Sequence, residues 1–497
     1  MLRKIRIILA TIFFVGVTLL FLDFTGTLHA WLGWMAKVQF LPAVLAMNFV
    51  VVAILLLLTL LFGRVYCSVI CPLGVMQDVI SWIHGKTKKK KNRFRFSYSP
   101  AKKWLRYTVL ALFVAGLVFG AHSIAILIAP YSAYGRIAGN LFAPLYQWAN
   151  NFFAWIAERA DSYAFYSVDV WIKSVSTFVI SAVTFVVIAV LAWKNGRTWC
   201  NTICPVGTVL GFFSKFSLFA PVIDTEKCRN CGLCGKQCKA ACINTKEHQI
   251  DYSRCVACMD CIDTCKDGAI HYACRRSVTV AQNNKKGADQ GRRAFLVSSA
   301  IAGTAVAAKA QEMKVDGGLT AIERAEKPER QTPLVPAGSL SLKNFTDHCT
   351  ACQLCVSVCP NQVLRPSTSI MTLMQPEMSY ERGYCRPECT RCSDICPAGA
   401  IRPITREEKS SIQIGHAVVN LDNCVVNTDG VSCGNCARHC PAGAIKMVRK
   451  NPDDPKSLMI PTVNEERCIG CGACENLCPA RPFTAIHVEG HEVHKEI

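Results

Sequence analysis

Six groups of four cysteines constrain the fold of this chain more than any other feature. The chain has 497 residues and 30 cysteines, too many for an ordinary reduced enzyme and too closely spaced for a framework of disulfides. Four groups have the spacing C-x2-C-x2-C-x3-C, which is typical of [4Fe–4S] ligation. A zinc site would instead use two separated pairs of ligands. The spacing therefore predicts iron–sulfur clusters.

The first two groups lie close together and predict a two-cluster ferredoxin unit. In such units the fourth cysteine of each group reaches the other cluster. One cluster would take Cys228, Cys231, Cys234 and Cys265, and the other Cys255, Cys258, Cys261 and Cys238. Lys239 and Lys266 stand where proline usually follows, which weakens the local match without removing a ligand. Cys242 and Cys274 are interpreted as bystanders.

The other four groups lie near the C-terminus and predict four more clusters. Two of them have a longer first gap, and Pro-Ala-Gly-Ala-Ile occurs at both 397–401 and 441–445, which indicates duplicated ferredoxin units. The groups are Cys349, Cys352, Cys355, Cys359; Cys385, Cys389, Cys392, Cys396; Cys424, Cys433, Cys436, Cys440; and Cys468, Cys471, Cys474, Cys478. The total is six [4Fe–4S] clusters. No C-x-x-C-H motif occurs, so no covalent c-type haem is expected.

Apolar runs in the first part of the chain indicate a membrane domain. Hydrophobic residues make up 51% of the chain and charged residues 18%, against about 25% charged in a typical soluble domain. The runs at 7–22, 40–62, 107–129 and 174–193 are long enough, or nearly so, to cross a bilayer as helices. We therefore expect four transmembrane helices.

The distribution of charge predicts which ends of these helices face the cytoplasm. Residues 1–310 contain 35 basic and 13 acidic side chains, whereas residues 311–497 contain 20 and 22. Residues 63–103 alone carry ten basic side chains against Asp78, including the lysine run 88–91. The positive-inside rule then places the N-terminus, this loop and the exit after Trp193 in the cytoplasm. Basic residues bracket apolar runs, which argues against a nucleic-acid partner.

A twelve-residue repeat follows the second and fourth apolar runs. Gly-Arg-Val-Tyr-Cys-Ser-Val-Ile-Cys-Pro-Leu-Gly at 63–74 recurs as Gly-Arg-Thr-Trp-Cys-Asn-Thr-Ile-Cys-Pro-Val-Gly at 196–207. Its cysteines are Cys67, Cys71, Cys200 and Cys204. Because helical residues four apart share a face, the two copies together could supply four thiolates to a seventh cluster. Redox-active thiols and purely structural cysteines are the alternatives.

Residues 291–310 resemble a twin-arginine export signal inside the chain. Arg292 and Arg293 precede a short Ala-rich apolar run and the sequence Ala-Lys-Ala at 308–310, which is similar to a cleavage site. A short helix or a fifth membrane anchor is the alternative. If the segment is an export signal, the four C-terminal cysteine groups lie in the periplasm.

These motifs resemble two known families. Residues 1–275, with paired C-x3-C-P motifs and a ferredoxin unit, resemble NapH, the four-span quinol-dehydrogenase subunit of periplasmic nitrate reductase systems. Residues 287–497 resemble NapG, the exported four-cluster subunit, which is related to a methylamine-utilisation protein. The first half is also similar to the membrane region of NosR-type proteins. The fusion and the internal export signal depart from these patterns.

The resemblance also implies a ligand exchange in the C-terminal part. In related four-cluster subunits the first and fourth groups exchange their last cysteines, as do the second and third. The implied ligand sets are Cys349, Cys352, Cys355 with Cys478; Cys468, Cys471, Cys474 with Cys359; Cys385, Cys389, Cys392 with Cys440; and Cys424, Cys433, Cys436 with Cys396.

The predicted fold is a membrane α-helical bundle with α+β ferredoxin-like 4Fe–4S domains. Its domains are 1–215, the four-helix transmembrane domain; 216–275, a cytoplasmic two-cluster ferredoxin domain; 276–345, a linker with the export signal; and 346–497, a periplasmic four-cluster ferredoxin domain. We expect a multi-pass protein of the bacterial inner membrane.

The expected function is electron transfer in anaerobic respiration. Electrons would pass from membrane quinol to a periplasmic reductase or cytochrome, with the chain acting as the electron-transfer component of a quinol dehydrogenase. The alternatives are an electron donor for maturation or regulation of a periplasmic metalloenzyme, and exchange between the first ferredoxin unit and a cytoplasmic carrier. His84 and His122 could accept quinol protons but are interpreted as structural. The sequence places no quinone pocket on particular residues.

Overall fold

The computed structural model describes residues 1–87, 96–275, 315–316, 320–321 and 325–497. The lysine run at 88–91 and the twin-arginine segment at 291–310 lie outside the described residues. The cytoplasmic side of the lysine run and the export role of the twin-arginine segment therefore remain predictions.

The first part of the chain is helical. A π-helical turn, Ala138–Phe142, joins the tenth and eleventh helices. The helices are α1 (Leu2–Leu22), α2 (Thr27–Leu32), α3 (Trp34–Lys37), α4 (Phe40–Leu45), α5 (Phe49–Phe62), α6 (Val65–Val69), α7 (Pro72–Thr87), α8 (Lys103–Val118), α9 (His122–Ile128), α10 (Pro130–Ile137), α11 (Ala143–Arg159), α12 (Val175–Asn195), α13 (Thr198–Thr202) and α14 (Pro205–Ser214).

Two of the four apolar runs form helices long and apolar enough to cross a membrane. These are α1 and α12, with 21 residues each. The run 40–62 is divided between α4 and α5, where the side chain of Asn48 caps α5 by accepting from the backbone N–H of Val51. The run 107–129 is divided between α8 and α9 at Gly120. The φ of Gly120 is +77°, in the left-handed region, which favours glycine.

The first ferredoxin module, residues 219–274, follows the helical domain. Its outer strands pair antiparallel, with Phe219 opposite Cys274 and Ile223 opposite Ile270. The second pair aligns Ile243 with Ile250. Its elements are β1 (Phe219–Ile223), α15 (Leu233–Gln237), β2 (Ile243–Asn244), β3 (Gln249–Ile250), α16 (Asp260–Thr264) and β4 (Ile270–Cys274).

The second ferredoxin module, residues 325–497, is built from short helices and strand pairs. A short pair, β5 (Val315–Asp316) with β6 (Thr320–Ala321), precedes it. Strand β7 pairs with β8, β9 with β12, and β10 with β11. Its elements are α17 (Leu342–His348), α18 (Leu354–Val358), β7 (Leu364–Pro366), β8 (Pro376–Met378), α19 (Arg391–Ile395), α20 (Arg406–Ser411), β9 (Ile412–Val419), α21 (Val425–Thr428), α22 (Asn435–Arg438), β10 (Ile445–Arg449), β11 (Met459–Val463), α23 (Ala473–Asn476) and β12 (Ile486–Glu496).

The two ferredoxin modules contact opposite ends of the long helices. At the start of α1, Arg3 pairs with Asp260 of the first module at 2.8 Å. Beyond the other end of α1, Arg391 of the second module donates to the carbonyl of Thr25 at 3.3 Å. Helix α12 runs in the opposite direction to α1 between the same two modules, because Lys173 before it donates to the Val356 carbonyl and Arg197 after it donates its N–H to the Lys239 carbonyl.

Candidate iron–sulfur sites and their connections

The first ferredoxin module brings one of the two predicted sets of cysteines together around a cavity. Cys255, Cys258, Cys261 and Cys238 line a space of about 370 Å³. Cys238 follows α15, and α15 packs against α16, which carries Cys261. This contact explains how Cys238 reaches the other group. In the neighbouring group, burial raises the pKa of Cys234 and the nearby thiols of Cys231 and Cys228 raise it further.

Cys242, interpreted from the sequence as a bystander, lines the same cavity. Its Sγ lies 3.4 Å from Sγ of Cys238, and hydrogen bonds to Cys238 and Cys255 raise its pKa well above the usual range. The only sequence signal was its position four residues after Cys238. The structure thus places a fifth thiol beside this candidate site.

The second module forms four sets of cysteines. Among the described residues, no group of three or more His, Cys, Asp or Glu side chains is arranged so that it could hold a metal ion. Two sets line cavities of about 460 Å³ and 400 Å³. The sets are Cys349, Cys352, Cys355 with Cys396; Cys385, Cys389, Cys392 with Cys359; Cys424, Cys433, Cys436 with Cys478; and Cys468, Cys471, Cys474 with Cys440.

The fourth cysteine of each set differs from the one that the family resemblance implied. The implied partners were Cys478, Cys440, Cys396 and Cys359 for the Cys349, Cys385, Cys424 and Cys468 sets, respectively. In the structure the exchange is between neighbouring groups. The reason is helix packing, because α18 packs against α19 and α22 against α23, so each pair folds as a local two-cluster unit.

The Cys385 and Cys468 sets lie side by side. The backbone N–H of Cys385 donates to the carbonyl of Cys471 at 2.9 Å. Buried Tyr380 lies between the two sets, where burial and then Cys385 and Cys471 raise its pKa well above the usual range. This contact joins the two local units of the second module into one series.

Lys409 provides a positive charge to the Cys385 set. Its Nζ lies 3.2 Å from Sγ of Cys385 and donates to the carbonyls of Arg386 and Cys389. Burial opposes the charge, but the nearby thiols of Cys385, Cys392 and Cys389 outweigh it and raise the pKa of Lys409. A charged amine therefore lies beside this candidate cluster site.

We expect Lys409→Met to make the cluster of this set harder to reduce, because a reduced cluster loses a stabilising positive charge. A loss of about 1.4 kcal/mol corresponds to a shift of about 59 mV to more negative potential. Redox titration followed by electron paramagnetic resonance measures it, with Lys343→Met as the control. An unchanged potential would contradict the assignment.

The two copies of the twelve-residue repeat meet in the helical domain. Cys67, Cys71, Cys200 and Cys204 are each 4% exposed. Their thiols are close enough to interact electrostatically, Cys204 with the other three and Cys71 with Cys67 and Cys200. We call these four residues the four-cysteine centre. The first cysteine of each pair lies on a short helix, α6 or α13, and the second directly precedes the proline that begins α7 or α14.

Two arginines cross between the copies with pseudo-twofold symmetry. Arg64 donates to the carbonyl of Cys200 at 3.2 Å, and Arg197 donates to the carbonyl of Cys67 at 2.7 Å. A Cβ atom at Gly74 would clash with the Cys67 carbonyl and Arg197, and one at Gly207 with the Cys200 carbonyl and Arg64. The repeated glycines of the motif are therefore required by this close packing.

The four-cysteine centre suits an anionic metal cluster. Arg64 and Arg197 are both fully buried, and Nε of Arg64 and Nη2 of Arg197 have no hydrogen-bond partner among the described residues. Buried cations need compensating negative charge. Asp78 already pairs with Arg197; a [4Fe–4S]2+ core with four thiolates carries about −2, which would compensate Arg64 and add to the negative charge beside Arg197. The donor set and its surroundings therefore fit such a cluster.

The first ferredoxin module docks against the four-cysteine centre. Arg64 donates to the Ser253 carbonyl at 3.2 Å, and Asn201 donates to the Ala240 carbonyl at 3.1 Å. Asp78 pairs with Arg197 at 2.7 Å and with Lys239, the residue after Cys238, at 3.2 Å. Short contacts thus connect the Cys255 group to the four-cysteine centre.

Two buried tyrosines connect the four-cysteine centre to the second module. Tyr66 interacts electrostatically with Cys71, Cys67 and Cys204, and Tyr131 interacts with Cys352, Tyr66 and Cys396. A Cβ atom at Gly135 would clash with the carbonyl of Cys352. The Cys349 set is therefore the part of the second module closest to the helical domain.

The two histidines considered from the sequence have structural partners. His84 contacts the Trp193 carbonyl through Nδ1 and stacks on the Trp193 ring with centroids 4.3 Å apart. His122 contacts Asp347 of the second module at 3.2 Å. A third histidine, His29, is buried beside Asp23, and no motif in the sequence marked it.

Comparison with known protein families supports the interpretation of these cysteines as 4Fe–4S ligands. A 4Fe–4S binding domain matches residues 44–91 and 177–221, the segments that contain the twelve-residue repeat. A 4Fe–4S dicluster domain matches 384–444 and 429–481, and a second 4Fe–4S binding domain matches 345–365. The chain therefore contains 4Fe–4S ferredoxin domains.

Two similar proteins show which family the chain belongs to. The ferredoxin-type protein NapG of Escherichia coli is 31% identical over 33% of this chain and 77% of its own length. The methylamine utilization ferredoxin-type protein MauM of Methylobacillus flagellatus is 32% identical over 32% of this chain and 69% of its own. The chain belongs to the NapG and MauM family of ferredoxin-type proteins.

A further relative resembles the other part of the predicted fusion. The ferredoxin-type protein NapH of Haemophilus influenzae is 24% identical over 45% of this chain and 66% of its own length. The chain spans only 39% of another relative, from Methanocaldococcus jannaschii. No solved structure matches the chain. Similarity to NapG, MauM and NapH supports a ferredoxin-type electron-transfer protein that combines NapH-like and NapG-like parts.

Proposed function

We propose that this chain carries electrons from membrane quinol to a periplasmic reductase. The observation that carries this proposal is the continuous series of cysteine groups. It leads from the first ferredoxin module through the four-cysteine centre to the Cys349 set and on through the Cys385 and Cys468 sets. Each group contacts the next through buried residues. Cubane clusters at these sites would supply one-electron transfer with little rearrangement.

The proposed cofactors are six [4Fe–4S] clusters on 24 ferredoxin cysteines and a seventh at the four-cysteine centre. In the first module the ligands are those expected from the sequence. In the second module the ligand sets are those that the structure brings together. The protein's own contribution is to hold the sites in series and to set their charge through Arg64, Arg197 and Lys409.

The proposed topology has four spans, with the N-terminus and first module in the cytoplasm and the second module in the periplasm. Only 28% of the apolar window of α1 and 22% of that of α12 are buried, which suits helices that face lipid. The modules lie at opposite ends of these helices. The domains proposed are 1–215, 216–275, the linker 276–345 and 346–497.

We expect a reporter fused after Ile497 to be located in the periplasm, and one inserted after Arg275 to be located in the cytoplasm. Paired alkaline phosphatase and fluorescent-protein fusions measure this. The same sidedness for both fusions would contradict the topology, because the two modules would then lie on one side of the membrane.

Reconstitution tests the function. Holo-protein in liposomes should be reduced by a menaquinol analogue, with loss of visible absorption by the clusters, and should pass electrons to an external acceptor on the side of the second module. Heat-denatured protein in the same liposomes is the control. Failure of quinol to reduce any cluster would overturn the proposal.

Two other functions have a specific observation in their favour. The series of sites reaches Cys231, which is exposed, so a cytoplasmic carrier could donate electrons to the first module. MauM is named for methylamine utilization, which suits an electron donor for maturation or regulation of a periplasmic metalloenzyme. Reduction by a soluble ferredoxin but not by quinol would favour the first of these.

A further inference from the structure

A cavity lies where the helical domain meets the second ferredoxin module. The empty space there, including its open mouth, is about 790 Å³. Its walls include His29, Ala30, Trp34 and Lys37 from α2 and α3, with Arg391 and Ile395 from α19. We call it the His29 cavity.

His29 is held by a carboxylate through Nδ1, and the Leu20 carbonyl also lies near enough to the ring to affect its pKa. Its Nδ1 lies 3.0 Å from Oδ2 of Asp23. Asp23 is itself fixed, because it accepts from the backbone N–H groups of Thr25, Gly26 and Leu28. Nε2 of His29 is buried and has no hydrogen-bond partner among the described residues. With Nδ1–H donated to Asp23, Nε2 carries the lone pair that can accept a proton.

Burial, more than the neighbouring charges, keeps His29 neutral. Burial lowers the pKa of His29, more than Asp23 and the Leu20 carbonyl raise it, and Arg391 lowers it further. The other charged groups that face the cavity are Lys37 on α3 and Asp394 on α19. His29 is therefore a base rather than a cation near neutral pH.

The cavity lies next to the proposed clusters and near the membrane interface. Val358 and Ile395 line it, and each directly precedes a proposed cluster ligand, Cys359 or Cys396. Trp34, which lines it, and the neighbouring Trp31 are 51% and 80% exposed, at the end of a candidate membrane span. Exposed tryptophans at that position are typical of the membrane interface.

We propose that the His29 cavity is the site at which membrane quinol is oxidised, with Nε2 of His29 accepting the hydroxyl proton. The inference rests on the proposed function. One quinol loses two O–H protons and two electrons and becomes quinone. The Cys349 set would hold the cluster that takes these electrons one at a time, and His29 would pass the protons to water at the mouth of the cavity. Lys37 and Arg391 can donate to the second quinol oxygen.

A larger cavity at the opposite end of the helices is less suitable. It measures about 1260 Å³ including its mouth and is lined by Asp78 and Asp260. Asp78 pairs with Arg6, Arg197 and Lys239, and Asp260 pairs with Arg3 and Lys239. With both carboxylates bound to cations, this cavity offers no comparable proton acceptor among the residues that the structure describes.

Photolabelling of the holo-protein with an azidoquinone tests binding independently of activity. We expect the label in the peptides around His29 and Arg391. Ala30→Trp on α2, which fills the cavity from an exposed position, should lower labelling at least tenfold. Val15→Trp, a change at an exposed position on α1, should not lower it. Label confined to the peptide around Asp78, or label that Ala30→Trp leaves unchanged, would overturn the proposal.

Kinetics of cluster reduction test the role of His29. With a menaquinol analogue, His29→Gln should retain labelling but slow reduction by about 100-fold or more, the usual contribution of a general base. Reduction by dithionite should be unchanged. His122→Gln, a buried histidine paired with Asp347 at the same end of the molecule, is the matched control and should behave as the unmodified chain.

The pH profile separates a base from a structural residue. In the unmodified chain the rate should fall only below the ordinary histidine pKa of about 6.5, because protonation of His29 is disfavoured. That fall in rate at low pH should be absent in His29→Gln. If the unmodified chain is reduced by quinol and His29→Gln keeps its rate, this inference fails while the proposed function stands. If quinol reduces neither, both fail.

Discussion

Replacing Cys67, Cys71, Cys200 and Cys204 together by serine is expected to remove about four iron atoms per chain. It should also stop electron transfer between the two ferredoxin modules. The reason is that the four-cysteine centre lies between the Cys255 group and Tyr66, so the series of sites would lose its middle member. Iron analysis of purified protein measures the first effect.

Electron transfer is measured in oriented liposomes. A membrane-impermeant reductant added on the side of the first module should reduce clusters of the second module in the unmodified chain and not in the variant. Cys274→Ser changes a cysteine outside all the predicted sets and is the control. An unchanged iron content would reject a cluster at this centre and leave redox-active or structural thiols as the explanation.

Double serine variants in the second module are expected to show which cysteines share a cluster. Cys349→Ser and Cys396→Ser together should lose about four irons, no more than either alone, because both would be ligands of one cluster. Cys349→Ser and Cys478→Ser together should lose about eight, since the structure places these residues in different sets. Iron content and the number of cluster signals in electron paramagnetic resonance are the measurements.

The same pair of double variants tests the exchange implied by the family resemblance. If the first and fourth groups exchanged ligands, the losses would be reversed, with about four irons lost for Cys349 with Cys478 and about eight for Cys349 with Cys396. Size-exclusion chromatography of each variant serves as the control for folding. The reversed pattern would contradict the ligand sets proposed from the structure.

The cysteine spacing predicted the ferredoxin modules because a cubane cluster needs three thiolates from one tight loop, a local property. The exchange in the first module was also predictable, since only two groups are available there. With four groups in the second module, the fourth ligand depends on which short helices pack together. The contacts of α18 with α19 and of α22 with α23 are not encoded in any one motif.

The helical domain shows the same division. Hydropathy located the apolar runs, but the cap at Asn48 and the left-handed Gly120 divide two of them, and these local breaks do not change hydropathy. The repeat at 63–74 and 196–207 suggested a four-thiolate site, yet its convergence needed the crossing of Arg64 and Arg197. His29 was missed because a single histidine outside a motif carries no signal.

The amino-acid sequence alone indicated 4Fe–4S ferredoxin domains and apolar helices, because cysteine spacing and hydropathy are properties of short segments. The order of the sites, the partner of each fourth cysteine and the His29 cavity depend on residues far apart in the chain, such as His29 with Arg391 or Tyr131 with Cys352. Only packing in three dimensions brings such residues together, and it is this packing that turns separate cysteine groups into a connected series.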